Sequence, residues 1–324
     1  MKRALAFVLT MCLCFVGAFG LAACGSVPSG GTGTAGGLPS AETPSSGTSG
    51  SNAEEDGGYM PPPEGGENVP DANTPTADIA VPAPNERQTI LLWNENNVPA
   101  YNQSNQHSSA DDDDFIPYIE SYPAQGAIKG AVLICPGGAF QFRSMRSEGY
   151  DVAERLSALG YQCFVVSYRL RPYSQEVSAL DLARAVRYVR SNAHAYGIAE
   201  DDIAVVGFSA GGILCGELLL HSDGYRLPTE TDESYVPDSL DYVSAEASAI
   251  GHIYSFYGRL SVSDNDVETL RAGDLPPAFY AYGTRDPFYR QFVQNANAVR
   301  AAADREGIPQ PEKVRFVYTN FIHG

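Results

Sequence analysis

Residues 203 to 220 constrain the fold of this chain more than any other stretch. Ile203-Ala-Val-Val-Gly207 is a short continuous apolar run, which reads as a buried strand, and Ile213-Leu-Cys-Gly-Glu-Leu-Leu-Leu220 reads as a helix. Between them lies Gly207-Phe208-Ser209-Ala210-Gly211-Gly212, a G-x-S-x-G pattern. A strand that turns directly into a helix brings two backbones close together, and only small flanking residues allow that approach. The serine at the apex of such a turn is strained and has its oxygen exposed. The expected architecture must therefore place a buried strand and a helix on either side of Ser209, which makes Ser209 the candidate nucleophile.

The flanking sequence repeats the same alternation. Ile90-Leu-Leu-Trp93 and Ile116-Pro-Tyr-Ile119 read as short strands separated by a solvated loop. That loop carries Asp111 to Asp114, which lack the spaced oxygen ligands of a calcium loop and read as surface charge. Ala131-Val-Leu-Ile-Cys135 runs into Pro136-Gly137-Gly138, again a buried strand entering a turn. A helix is expected over Glu148 to Leu159 with Val152, Leu156 and Leu159 on one face, then a strand over Cys163 to Tyr168. Ser178 followed by Asp181 resembles a capping box before a helix carrying Leu182, Val186, Val189 and Ala193. Strand and helix alternating with short connections predicts an α/β domain, with a mostly parallel central sheet and helices on both faces.

A serine hydroxyl is a weak nucleophile near neutral pH, so it needs a base, and the base needs a carboxylate to orient it. Pro277-Ala-Phe-Tyr-Ala-Tyr-Gly283 is strand-like and ends in Thr284-Arg285-Asp286, which places Asp286 on the following loop. His323 follows the strand Val314-Arg-Phe-Val-Tyr318. Of the five histidines, His107 lies in a polar loop, His194 in a predicted helix, His221 at a helix end and His252 in a strand-like run. None of these four lies at the carboxyl end of a late strand, so Ser209, Asp286 and His323 are the candidate set. A developing oxyanion also needs backbone donors. Ala210 is one candidate, and Gly138 or Ala139 in the turn after Cys135 is the other. No Lys-Ser/Thr completes a phosphate loop there, and no His-x-x-x-His pair or cysteine cluster suggests a metal. No metal and no cofactor are expected.

The front of the chain is different. Met1-Lys-Arg-Ala precedes the apolar run Leu5 to Leu21, the layout of a secretory signal over residues 1–23. It ends in Leu21-Ala22-Ala23-Cys24, which resembles a bacterial lipobox and implies cleavage before Cys24 and diacylation of its thiol. Of the 60 residues from Gly25 to Pro84, 35 are Gly, Pro, Ser or Thr and none is Lys or Arg, so residues 24–85 read as a lipidated cysteine on a disordered tether. As a flexible coil it would span roughly 45 Å. Residues 86–324 remain as one domain of about 240 residues, a comfortable size for a single α/β core. The net charge is −18, and −20 once Lys2 and Arg3 leave with the signal, which disfavours nucleic acid and anionic lipid as partners. The expected location is extracytoplasmic, with membrane contact only through the anchor. Cys135, Cys163 and Cys215 sit in apolar runs and read as buried free thiols.

Taken together, Cys135-Pro-Gly-Gly-Ala-Phe140, Val165-Val-Ser-Tyr-Arg-Leu170, Asp181-Leu-Ala-Arg-Ala-Val-Arg-Tyr-Val189, Gly207-Phe-Ser-Ala-Gly-Gly212, Gly283-Thr-Arg-Asp286 and His323-Gly324 resemble the α/β-hydrolase superfamily, in its esterase/lipase-like branch that includes acetyl xylan and other carbohydrate esterases. The resemblance covers about residues 90 to 324 and implies carboxylic ester hydrolysis without a cofactor, with Ser209, Asp286 and His323 as the triad. Two departures stand out. Pro136 replaces the usual leading histidine of the oxyanion loop, and the sequence stops one residue after His323, where relatives carry a further helix, so a truncated carboxyl end with a loosely held His323 is expected. The polar segment His221 to Ser248 is expected to form a small cap, leaving the site open to acylated glycan or other small esters. Two alternatives stay open at this point: a peptidase of the prolyl-oligopeptidase kind, and a non-catalytic glycan-binding module on a hydrolase scaffold.

Overall fold

The computed structural model describes residues 82–101, 110–112, 114–220, 224, 226–260, 262–266, 268, 270, 272–309 and 313–323. The expected signal, Cys24, the tether up to residue 81, His107 and His221 lie outside the described residues, while the last tether residues are described, with the Ala83 N–H bonded to Gln88 and the Pro84 carbonyl to Gln162.

Among those residues one sheet of eight strands runs through the molecule. The strands are β1 (Thr89–Leu91), β2 (Tyr118–Tyr122), β3 (Gly130–Cys135), β4 (Tyr161–Ser167), β5 (Ile203–Phe208), β6 (Ala249–Ile253), β7 (Ala278–Gly283) and β8 (Lys313–Tyr318). Their spatial order is β1-β2-β4-β3-β5-β6-β7-β8, antiparallel at β1–β2 and β2–β4 and parallel from β4 onward. Every residue of β3 to β7 is buried, which is why these strands read as unbroken apolar runs.

Alternate residues feed two cores. Leu133, Val205, Ile250 and Tyr280 pack with α2 (Gln175–Ser191), α4 (Ala210–Leu220) and α5 (Tyr289–Glu306) on one face. Val132, Val165, Val206 and Phe279 face the other side, against α1 (Asp151–Ala158). A short α3 (Ala193–Tyr196) follows α2. The expected α/β-hydrolase architecture is what the strands and helices form.

Several local expectations are corrected. Pro117 has no N–H to give a ladder, so β2 starts at Tyr118, while the Pro117 carbonyl accepts from the Leu92 N–H. The helix expected from Glu148 is a π-helical turn over Met145–Tyr150 that runs into α1, and Leu159 ends 36% exposed while Ala153 and Leu156 are buried. The capping box at Ser178 is absent. Helix α2 starts at Gln175, and the Ser174 side chain accepts from the Val177 N–H. Asp181 lies inside the helix, fully buried, and accepts from Arg169 and from the Trp93 indole. The acidic loop is only partly solvated, because Asp111 is ion-paired with Arg143 and its side chain is almost fully buried. Cys135, Cys163 and Cys215 are buried free thiols.

The described part of the segment expected to form a small cap packs along the side of α2. Helix α4 begins next to Ser209, and its 11 residues carry the chain roughly 16 Å away before residue 221. From there Asp238 and Asp241 pair with Arg184 of α2, Arg190 donates to the Ser244 and Glu246 carbonyls, and the Ser248 N–H bonds to Ile203 at the start of β5. The described part of 221–248 therefore packs along α2, from Ser248 at the start of β5 to the 97–100 segment, where Asp232 accepts from the Ala100 N–H and Val236 pairs with Asn97.

Candidate active site

The parallel register sets the site. Cys135 of β3 stands beside Gly207 of β5, Phe208 beside Ile253 of β6, and Gly283 of β7 beside Tyr318 of β8. The turns that leave these strands consequently share one edge of the sheet.

Ser209 occupies the turn between β5 and α4 at φ +48°. Its N–H donates to the Ile253 carbonyl at 2.9 Å, and its carbonyl accepts from the Ser255 hydroxyl at 2.9 Å and from Gly212 and Ile213 as α4 begins. The neighbouring glycines are sterically required. A Cβ on Gly207 would lie 2.2 Å from the Gly211 oxygen, and one on Gly211 would lie 1.9 Å from the Cys135 oxygen.

Two further turns bring the other candidates to this oxygen. Ser209 Oγ lies 2.8 Å from His323 Nε2, and His323 Nδ1 lies 2.7 Å from Asp286 Oδ2. The neutral tautomer with its proton on Nδ1 satisfies both contacts, donating to Asp286 and accepting from the hydroxyl. Asp286 is buried, and its other oxygen accepts from the Phe288 N–H at 2.8 Å.

The loop that carries His323 is laced to the loop that carries Asp286. Thr284 N–H bonds to Tyr318, Arg285 N–H to Phe321, and Asn320 N–H to the Thr284 hydroxyl. The His323 ring is bracketed edge-to-face by Tyr254, with centroids 4.8 Å apart, and Phe288, at 5.4 Å. The expectation that little would hold this histidine underestimated these contacts.

The loop after β3 lies against the serine. A Cβ on Gly137 would meet the Ser209 Cβ at 3.0 Å. Most of its polar groups are engaged: the Pro136 carbonyl by the Tyr168 hydroxyl at 2.6 Å, the Gly137 N–H by Glu148, the Gly137 carbonyl by Ser144, and the Gly138 carbonyl by Gln141 and Phe142. Gly138, Ala139 and Phe140 all have positive φ. No described residue accepts from the N–H of Gly138, Ala139 or Ala210. These are donors left without a partner among the described residues, in the serine turn and in the loop that lies against it.

Sequence reasoning missed Glu148, Tyr254 and Phe288. Glu148 bonds the Tyr254 hydroxyl, and burial together with the nearby Glu148 and Asp286 carboxylates holds that phenol well above the ordinary tyrosine range. The other described histidines stand apart from this cluster. His194 is exposed on α3, and His252 is fully buried in β6 between Tyr257 and Tyr280, where burial alone pushes its imidazole down to about 3. Among the described residues no group of His, Cys, Asp or Glu side chains is arranged to hold a metal ion, and no helix is long and apolar enough to cross a membrane.

Comparison with known proteins bears on the fold and on the class of relatives. Residues 121–268 match the BD-FAE family. The chain is 34% identical over 218 residues to an acetylxylan esterase of Xylanibacter ruminicola, covering 64% of this chain and 42% of that protein. It is 29% identical over 268 residues to endo-1,4-beta-xylanase B of Butyrivibrio fibrisolvens, covering 77% and 39%. The chain thus spans about two fifths of the length of these curated relatives. Among solved structures, an acetyl ester-xyloside bifunctional hydrolase from Caldicellulosiruptor lactoaceticus superposes with TM-score 0.56 at 23% identity, covering 73% of this chain and 87% of that one. The fold is that of an α/β-hydrolase, and residues 121–268 within it are similar to the BD-FAE family.

Proposed function

We propose that this protein is a surface-tethered serine ester hydrolase that removes acyl groups, acetyl among them, from carbohydrate or small carboxylic esters. The observation that carries the reading is the hydrogen-bonded series Ser209–His323–Asp286, at 2.8 and 2.7 Å, at the end of the sheet where three turns meet. In the proposed reaction Ser209 Oγ attacks the acyl carbonyl while its proton passes to His323 Nε2. Asp286 keeps the ring in place and stabilises the imidazolium. The N–H groups of Ala210 and of Gly138 or Ala139 receive the oxyanion, and His323 then protonates the departing alcohol. Water repeats the sequence on the acyl-enzyme and releases the acid.

The carbohydrate part of the reading draws support from the names of the relatives, two of which refer to xylan. The test is acetate release from acetylated xylan and from p-nitrophenyl acetate by the full-length protein. The reading predicts release from both substrates and its loss in Ser209→Ala. A folded wild type that releases acetate from neither, or a serine variant that keeps the rate, overturns it.

The tether belongs to the same proposal. Leu21-Ala-Ala-Cys24 marks the anchor, with the protein displayed outside the cytoplasmic membrane on its Gly/Ser/Pro/Thr-rich segment. Cys24→Ala should abolish palmitate labelling and release the protein from membranes. Equal partitioning of variant and parent, with neither labelled, would refute the anchor.

A further inference from the structure

The Glu148 carboxylate accepts hydrogen bonds from two sides of the site at once. Oε2 takes the Gly137 N–H at 2.6 Å, and Oε1 takes the Tyr254 hydroxyl at 2.6 Å. Gly137 belongs to the loop after β3 that lies against Ser209, and Tyr254 follows β6, 106 residues away from Glu148 in sequence. Tyr254 in turn presents its ring edge-to-face to His323 and sits at φ +38°, with its N–H bonded to Ala281 of β7 at 2.6 Å. One carboxylate therefore joins the loop of candidate oxyanion donors to the ring that braces the candidate base.

Two consequences follow from the geometry. With its N–H committed to Glu148, Gly137 is removed as an oxyanion donor, and Gly138 and Ala139 are left. The short bond at the phenol end fixes the azimuth of the Tyr254 ring and hence the wall against which His323 stands. Glu148 is not placed to take a proton from the reacting serine, because both its oxygens are occupied and His323 already pairs with Ser209 and Asp286.

We propose that Glu148 is a positioning residue which, through Gly137 and Tyr254, holds the oxyanion loop and the histidine in register with each other. This rests on the reading of Ser209, His323 and Asp286 given above. Misplacing a reacting group by about 1 Å costs on the order of a hundredfold in rate, so loosening either end of the bridge should appear in kcat. Binding of a small ester depends little on that register, so KM should hold.

The experiment compares wild type, Glu148→Gln, Tyr254→Phe and the double variant, all full length. Steady-state turnover of p-nitrophenyl acetate is measured together with melting temperature and titration of reactive serine by a fluorophosphonate. The expected result is a kcat about 10- to 100-fold lower in each single variant, with KM within about twofold and the titratable serine fraction unchanged. The double variant should be no slower than the worse single by more than about threefold, because both substitutions break one bridge. Wild-type kcat in both singles, multiplying effects in the double, or losses that track melting temperature and titratable serine would overturn the proposal. Those outcomes, seen with an active wild type, leave the esterase reading standing. A wild type whose turnover survives Ser209→Ala overturns that reading and this inference together.

Discussion

Ser209 stands at a positive φ in a turn where Gly207 and Gly211, two residues away on either side, have no side chains to obstruct the close backbone approach. Gly211 is the tighter of the two flanking glycines, with the Cys135 carbonyl 1.9 Å from where a Cβ would go. Backbone cannot yield there as a flexible side chain could. Gly211→Ala should cost at least about 3 kcal/mol or abolish soluble protein, measured by urea unfolding. Gly307 provides the control, since it caps α5 at φ +66° with nothing within 4 Å of a Cβ. Gly307→Ala should cost only about 1 to 2 kcal/mol, the penalty of the left-handed backbone alone. Equal losses at the two positions would show that crowding at the serine turn is not the constraint.

What could be read from single residues follows from how local the signal is. Ser209 and its glycines are contiguous, and Asp286 and His323 each follow a strand-like run, so their placement needs only the order of elements. Glu148 and Tyr254 carry no such mark. Glu148 reads only as the start of a helix, and the close passage of Gly149 over Val165 sets that segment down against the site, where a Cβ would be 2.9 Å from the valine.

Helix α2 shows how tertiary pairing overrides a local pattern. Ser178 and Asp181 have the spacing of a capping box, yet the helix is capped four residues earlier, at Ser174, and Asp181 lies inside it. There it accepts from the Arg169 guanidinium and from the Trp93 indole at 2.8 Å. Arg169 and Asp181 have side chains only 2% and 0% exposed, so removing one partner strands a buried charge. Asp181→Ala should destabilise by about 3 to 5 kcal/mol, measured by denaturant unfolding. A loss below about 1 kcal/mol would mean that Arg169 finds another acceptor.

Strand β6 adds a pH dependence. His252 is fully buried and its imidazole is pushed down to about 3 by burial, whereas in the unfolded chain it titrates near about 6.5. Between those values the unfolded state binds the extra proton. Stability from this group is therefore complete above about pH 6.5 and falls with pH by up to roughly 1.4 kcal/mol per unit until about pH 3. Replacing His252 with Leu should flatten the decline in melting temperature between pH 7 and 5 relative to wild type. Parallel declines in the two proteins would place the titrating group elsewhere.

For the molecule as a whole, the sheet order and its parallel register explain why distant turns meet. The fold class was legible because buried strands alternate with helical segments along the chain, whereas the spatial order of the strands was not read from the sequence. Nor was the position of 221–248. Its polar composition suits a cap, but the described part of this connection from α4 to β6 packs along α2, where Arg184, Arg187 and Arg190 donate to its carboxylates and carbonyls. Those pairings decide that placement, and composition is silent on it. The edge that carries Ser209 is formed by the turns after β3, β5, β6, β7 and β8, and those turns hold all the residues assigned to the chemistry.

The measurement that bears most strongly on the assignment is fluorophosphonate labelling of the full-length protein, with the modified residue located by mass spectrometry. Wild type should carry one label, on Ser209, and Ser209→Ala none. His323→Ala and Asp286→Asn should label far more slowly, and ester turnover should fall by about three orders of magnitude or more when Ser209 or His323 is replaced. A label on another serine, or turnover that persists in folded His323→Ala, would contradict the account.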